Sequence, residues 1–93
     1  MSTTYHKAAG ETLDYDVDFS RWLERDDVIV AASAVLAGSA ATIDTTEFSE
    51  TQVRVWVSGG DEGETANITV TAETQQGRTK EVCFRLRIRG CRC

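Results

Sequence analysis

The chain has 93 residues and a formal net charge of −5, from fifteen acidic and ten basic residues. This length allows one domain, and no apolar run approaches the ~18–20 residues that cross a bilayer, so we expect no membrane span. An acidic chain is also a poor general nucleic-acid binder, because attraction to phosphate supplies most of that affinity.

The charge is distributed unevenly along the chain. Residues 1–76 contain fourteen acidic and four basic residues, a net charge of −10, whereas residues 77–93 contain six basic residues and one acidic residue, a net charge of +5. Such a split favours complementary surfaces, either within the fold or between copies of the chain.

The N-terminal residues and the cysteines indicate whether a secretion signal and structural disulfides are to be expected. Residues 1–4 lack a basic start followed by an apolar block, so we expect no secretion signal. The three cysteines (Cys83, Cys91 and Cys93) all fall near the C-terminal end, and an odd number excludes a fully paired disulfide scaffold. The fold is therefore expected not to depend on disulfides.

The first half of the chain predicts a flexible arm followed by strands. Residues 1–10 lack periodicity and are predicted to form a flexible N-terminal arm. From residue 13 to residue 19, apolar residues alternate with aspartates, which indicates a half-buried strand with an acidic outer face formed by Asp14, Asp16 and Asp18. Residues 20–25 do not alternate and predict one short helical turn. Further strands are predicted over 28–36 and 40–44.

The second half predicts three strands joined by glycine-containing turns. Val53, Val55 and Val57 define one apolar strand face, which places Trp56 on the opposite face. The next strand runs from residue 67 to residue 72, and Gly77 supplies the positive φ of a short hairpin. In the last strand, three apolar residues alternate with Arg85, Arg87 and Arg89. Residues 90–93 are predicted to form a flexible tail.

Six to seven short strands with frequent turns and no long helical pattern indicate an all-β fold. We predict an immunoglobulin-like antiparallel β-sandwich, with one short helical turn near residues 20–25, over a single domain of residues 11–89.

The two charged strands suggest a cross-strand ladder. In immunoglobulin-like sandwiches the first strand often lies parallel to the last. If the strand over 13–19 is the first, its three aspartates would face the three arginines of the last strand, and opposite charges across strands contribute roughly 0.2–1 kcal/mol per pair. We predict this ladder between the set Asp14, Asp16, Asp18 and the set Arg85, Arg87, Arg89.

Metal binding and catalysis are weakly supported. The spacing of the three aspartates resembles the opening of a calcium loop, but Phe19 and Arg25 occupy the positions that need glycine and glutamate. The cysteines and His6 do not form a four-ligand zinc pattern. His6 is also a poor catalytic base in a flexible arm. We therefore expect no metal, no cofactor and no enzymatic activity.

Two features favour contacts with a partner protein. The arginine stripe could bind phosphate or an acidic protein surface, with pairing to the aspartate stripe as the simpler interpretation. Trp56 is the candidate partner-contact aromatic residue, because it lies opposite a buried apolar face.

Several segments resemble a phage protein family. Residues 13–23 (LDYDVDFSRWL) resemble the "LDY-x-x-D-[FW]-S-x-W-L" segment of the fiber-tail adaptor family of small tailed-phage and prophage proteins. The resemblance continues at residues 55–60 (VWVSGG), at Gly77-Arg78 and at residues 85–89 (RLRIR). It covers about residues 11–89 in the same order. The chain departs from the family at Ala31–Ala34, where relatives often have a bulky residue, and at residues 91–93.

The resemblance implies a non-enzymatic virion component with an immunoglobulin-like fold. Such a protein would be assembled in the bacterial host cytoplasm and would join the tail or connector to fibre proteins in several copies, which could form a ring. A capsid decoration or cement protein remains an alternative, and a calcium- or carbohydrate-binding accessory module is a weaker one. Copy number in the particle would separate the first two.

Overall fold

The computed structural model describes residues 3–90, and it places them in seven strands without any helix. The strands are β1 (Thr3–Ala8), β2 (Thr12–Asp18), β3 (Ile29–Ala37), β4 (Thr42–Phe48), β5 (Gln52–Ser58), β6 (Thr65–Thr74) and β7 (Thr79–Arg89). The prediction of an all-β sandwich with six to seven short strands is confirmed.

The strands form two sheets. The larger sheet has the order β1-β7-β6-β3, and the smaller sheet has the order β2-β5-β4. All pairings are antiparallel except that of β1 with β7, which is parallel. The edges are therefore β1 and β3 in the larger sheet and β2 and β4 in the smaller sheet.

The core lies between the two sheets and follows directly from the period-2 pattern. Every second residue of β5, of β6 and of β7 from Phe84 onward is buried, because successive side chains of a strand point to opposite faces. The fully enclosed apolar side chains include Val53, Val55, Val57, Ile68, Val70 and Leu86. Tyr15 and Phe84 add an aromatic contact across the sheets, with ring centroids 5.9 Å apart.

The predicted N-terminal arm is not an arm over its described part. Thr3–Ala8 forms β1 and pairs with β7 from Phe84 to Arg89. Two of its residues face the smaller sheet: Lys7, which is 1 % exposed, and Tyr5, which is 37 % exposed and whose ring lies 5.5 Å from that of Phe84. A strand that turns a tyrosine and a lysine inward shows no apolar alternation, so the prediction was wrong for these residues.

The side chain of Lys7 connects β1 to the loop that follows β5 of the smaller sheet. Its Nζ donates to the carbonyl oxygens of Ala8 at 2.8 Å, Ala9 at 3.3 Å and Gly59 at 2.7 Å. Three acceptors use all the donors of an ammonium group, so the enclosed charge is fully hydrogen-bonded. Burial nevertheless lowers the pKa of Lys7, while Glu11 raises it to a smaller extent.

The segment after β2 forms a hydrogen-bonded turn rather than a regular helix. The backbone nitrogens of Trp22 and Leu23 both donate to the carbonyl of Phe19. Farther on, buried Asp27 accepts hydrogen bonds from the backbone nitrogens of Val28 and Gln76 through Oδ1, which ties this segment to the β6–β7 hairpin. That hairpin turns at Gly77, whose φ of 85° agrees with the prediction.

Two further sequence predictions concern the chain end and the membrane. The predicted flexible tail falls almost entirely on residues 91–93, which lie outside the described residues. Over residues 3–90, no helix is long and apolar enough to cross a membrane.

Candidate interaction surfaces

On the outer face of the smaller sheet, an arginine of β5 forms ion pairs with two aspartates of β2. Asp14 and Asp16 of β2 flank Arg54 of β5, whose Nε lies 3.3 Å from Asp14 Oδ2 and 2.9 Å from Asp16 Oδ1. The antiparallel register explains the contact, since Asp16 is directly opposite Arg54. Hydrogen bonding and charge attraction from Asp16 raise the pKa of Arg54.

Asp18, the third aspartate of the stripe, has a local role. Its Oδ1 accepts a hydrogen bond of 2.8 Å from the backbone nitrogen of Ser20, at the start of the turn after β2. This bond lowers the pKa of Asp18. Such a side-chain bond to the backbone two residues on is the turn chemistry typical of aspartate.

Trp56 lies on the same outer face, on the side of β5 opposite buried Val55 and Val57, as alternation predicts. The ring is half-buried, and its Nε1 donates to Glu47 Oε1 of β4 at 2.7 Å. The indole therefore has a hydrogen-bond partner within the fold, and its role as a partner contact stays a prediction.

The predicted charge ladder between β2 and β7 is wrong. β7 lies between β1 and β6 in the larger sheet, whereas β2 belongs to the smaller sheet and pairs with β5. The strand that lies parallel to the last one is β1, so the expectation about immunoglobulin-like sandwiches holds for a different strand. Asp14 and Asp16 are paired with an arginine, but that arginine is Arg54.

Arg85, Arg87 and Arg89 form a row on the outer face of the larger sheet, and all three are exposed. In the register, Arg85 has Thr4 and Asn67 as neighbours, and Arg87 has His6 and Thr65. Arg89 Nη2 lies 3.4 Å from His6 Nε2. Among residues 3–90 no carboxylate lies within ion-pair distance of these three guanidinium groups. We name these three residues the basic row.

The described residues offer no obvious ligand site. Between residues 3 and 90 no group of three or more histidine, cysteine, aspartate or glutamate side chains is placed to hold a metal ion. A shallow depression of about 230 Å³ on the smaller sheet, bordered by Asp16, Arg54 and Glu47, is below the range of typical ligand pockets, roughly 300–1,000 Å³. Two of its bordering side chains are already engaged with each other.

Sequence reasoning missed three polar contacts that the fold creates. Arg54 could have been found as the partner of Asp14 and Asp16, since it is the only basic residue between positions 26 and 77 and points outward. Glu64 had no such signal: its Oε1 accepts from Ser39 Oγ and from the backbone nitrogens of Ala40 and Asp61. The third contact is that of Lys7, described above.

Fold and surfaces together define a small β-sandwich domain with an acidic outer face on one sheet and a basic row on the other. The chain belongs to the family described as podophage GP4 fiber-tail adaptor protein gp77, whose model matches residues 7–87. The predicted family is thereby confirmed, and the family is one of structural phage tail components.

The remaining comparisons concern curated proteins and solved structures. No curated protein matches the chain. Among solved structures, the chain is similar to the one titled "Solution Structure of Amebosin", with 12 % sequence identity, a TM-score of 0.46, and coverage of 94 % of this chain and 89 % of that chain.

Proposed function

We propose that the protein is a virion component of a podophage, assembled in the host cytoplasm, which joins the tail or connector to fibre proteins in several copies. The family supplies the adaptor class. The observation that supports a contact with a partner protein is the basic row, which has no carboxylate partner among the described residues.

The basic row is suited to an acidic protein surface. Its three guanidinium groups are exposed along one strand face and are spaced by two residues, about 7 Å. Guanidinium groups bind carboxylates through paired, charge-assisted hydrogen bonds. Complementary charge mainly gives partner selection and a fast association rate. The acidic partner surface is that of a neighbouring tail or fibre protein, or of a further copy of this chain in a ring.

The adaptor role is tested by counting copies in purified particles. We expect quantitative mass spectrometry to give about one copy, or one half, per portal subunit, as a ring at the connector or tail requires. Tens of copies per portal subunit would instead mean capsid decoration and would overturn the proposal, as would absence of the protein from the particles.

The basic row is tested by charge reversal in the same particles. We expect Arg87→Glu to reduce incorporation strongly and Arg87→Lys to retain most of it, because lysine keeps the charge. Arg25→Glu is the matched control, since Arg25 is an exposed arginine in the turn before β3. Equal loss of incorporation in Arg87→Glu and Arg25→Glu would show that net charge, rather than the basic row, determines assembly.

A further inference from the structure

The four edge strands of the sandwich differ in how they are protected against pairing with another chain. Proteins commonly protect an edge with charges, bulges or short length. β2 carries three aspartates, β4 carries Glu47 and a bulge between Ile43 and Thr45, and β1 carries the inward-pointing charge of Lys7. Each of these edges therefore has at least one such device.

β3 has almost none. Its nine residues, IVAASAVLA, contain no charged residue and no proline, and its one irregularity lies at the start, between Ile29 and Ala31. Val30 and Val35 are 50 % and 66 % exposed. The regular part, Ala31–Ala37, presents its unpaired backbone groups on the side away from β6.

The side chains of this regular part are complementary to themselves when the strand is reversed. In an antiparallel pair of two β3 strands centred on Ala34, Val35 would lie opposite Ser33 and Leu36 opposite Ala32 of the other copy. Each larger side chain thus meets a smaller one, and no like charges are opposed. We propose that two copies of the protein pair through β3, which joins their larger sheets into one sheet of eight strands.

The charges of the larger sheet are compatible with this pairing. In the combined sheet, five strand spacings separate the two β7 strands, which places the basic rows about 24 Å apart. This distance exceeds the Debye length of about 8 Å at physiological ionic strength, so repulsion between the rows is screened. Both rows would remain exposed on one continuous face.

The contact area between the two β3 strands is small. Seven paired residues make a strip about 24 Å long and about 10 Å across the thickness of the sheet, or ~240 Å² on each copy. A standard interface buries about 800 Å² per partner. The β3 pair is therefore expected to dimerise reversibly with concentration, and to be favoured where copies are held close together.

Sedimentation of the purified protein over a wide concentration range, combined with amide hydrogen exchange, tests the proposal. We expect a monomer–dimer equilibrium and slower exchange of Ala31–Ala37 amides as the concentration rises. Val35→Lys places a charge on the edge at an exposed position and should weaken dimerisation by at least about tenfold. Thr79→Lys is the matched control, since it adds the same charge to an exposed outer position of β7.

Three outcomes would overturn the proposal. The first is a protein that stays monomeric at every concentration, even if Val35→Lys impairs virion incorporation, which would assign the edge to a strand of another protein. The second is equal weakening by Val35→Lys and Thr79→Lys. The third is a dimer that leaves exchange of the β3 amides unchanged. The proposal does not depend on the adaptor function, which the copy count tests separately.

Discussion

The two sheets carry opposite charge on their outer faces, and they differ in how that charge is satisfied. On the smaller sheet, Arg54 lies between Asp14 and Asp16, and Glu47 accepts the indole hydrogen bond of Trp56. On the larger sheet, the basic row has only neutral neighbours and His6 in register. The acidic face thus contains its own counter-charge, whereas the basic row has none among the described residues.

This difference distinguishes charges that are paired within the domain from charges that have no partner among the described residues. Exposed ion pairs within a face contribute modestly to stability and hold the strands in register. A row of like charges adds a small mutual repulsion to the folded state, so the basic row does not itself stabilise the domain. Of the basic residues near the C-terminal end, Arg78 pairs with Glu24 at 3.4 Å, whereas the basic row has no carboxylate partner among the described residues.

The largest expected effect on stability is at the polar group that the fold encloses most fully. Lys7→Met keeps the aliphatic stem but removes the donor to three carbonyls, including that of Gly59 in the loop after β5. Hydrogen bonds to a charged group are worth about 1.5–3 kcal/mol, and we expect a loss of this size in chemical denaturation.

The matched control for Lys7 is Lys80→Met, which removes the same charge from β7. Lys80 Nζ lies 5.9 Å from the Trp22 ring centroid, at the outer limit of a cation–π contact, so we expect a much smaller loss. Equal losses in the two variants would mean that net charge, and not the carbonyl contacts, accounts for the effect.

A direct comparison of the two faces uses one arginine from each. We expect Arg54→Ala to lower the denaturation midpoint at low salt, because Asp14 and Asp16 are left as unpaired neighbours, and to have less effect at high salt. Arg87→Ala should leave the midpoint unchanged or raise it slightly, since it removes a like charge from the basic row. A larger destabilisation by Arg87→Ala than by Arg54→Ala would contradict the contrast between the faces.

The sequence predicts those strands whose inner face is uniformly apolar. β5, β6 and β7 alternate cleanly, so their faces, and the outward position of Trp56, follow from periodicity alone. β1 could not be predicted in this way, because Lys7 occupies a core position and its burial depends on the distant carbonyl of Gly59.

The predicted charge pairing between β2 and β7 was wrong for a related reason. Periodicity shows that Asp14 and Arg87 face outward, but not which strands are neighbours. Once β1 takes the place beside β7, β2 pairs with β5 instead, and Arg54 becomes the partner of its aspartates. Pairing of exposed charges is therefore decided by topology, which local patterns do not encode.

The smallest expected effect is a pH dependence at Glu64, which joins the β3–β4 turn to the β5–β6 loop. Three hydrogen bonds, from Asp61, Ala40 and Ser39, hold the pKa of Glu64 below its ordinary value of 4.5. The folded state therefore favours the carboxylate, so the stabilisation is present above about pH 4.5 and is lost as the pH falls through the folded pKa. We expect Glu64→Gln to destabilise the protein at neutral pH and to flatten this acid-side decline in melting temperature.

Glu62→Gln makes the same charge change two residues earlier, where the carboxylate accepts no hydrogen bond from the described residues. An acid-side decline that is flattened equally by both variants would assign the effect to overall charge, because only a specific carboxylate contact can distinguish two glutamates of the same loop.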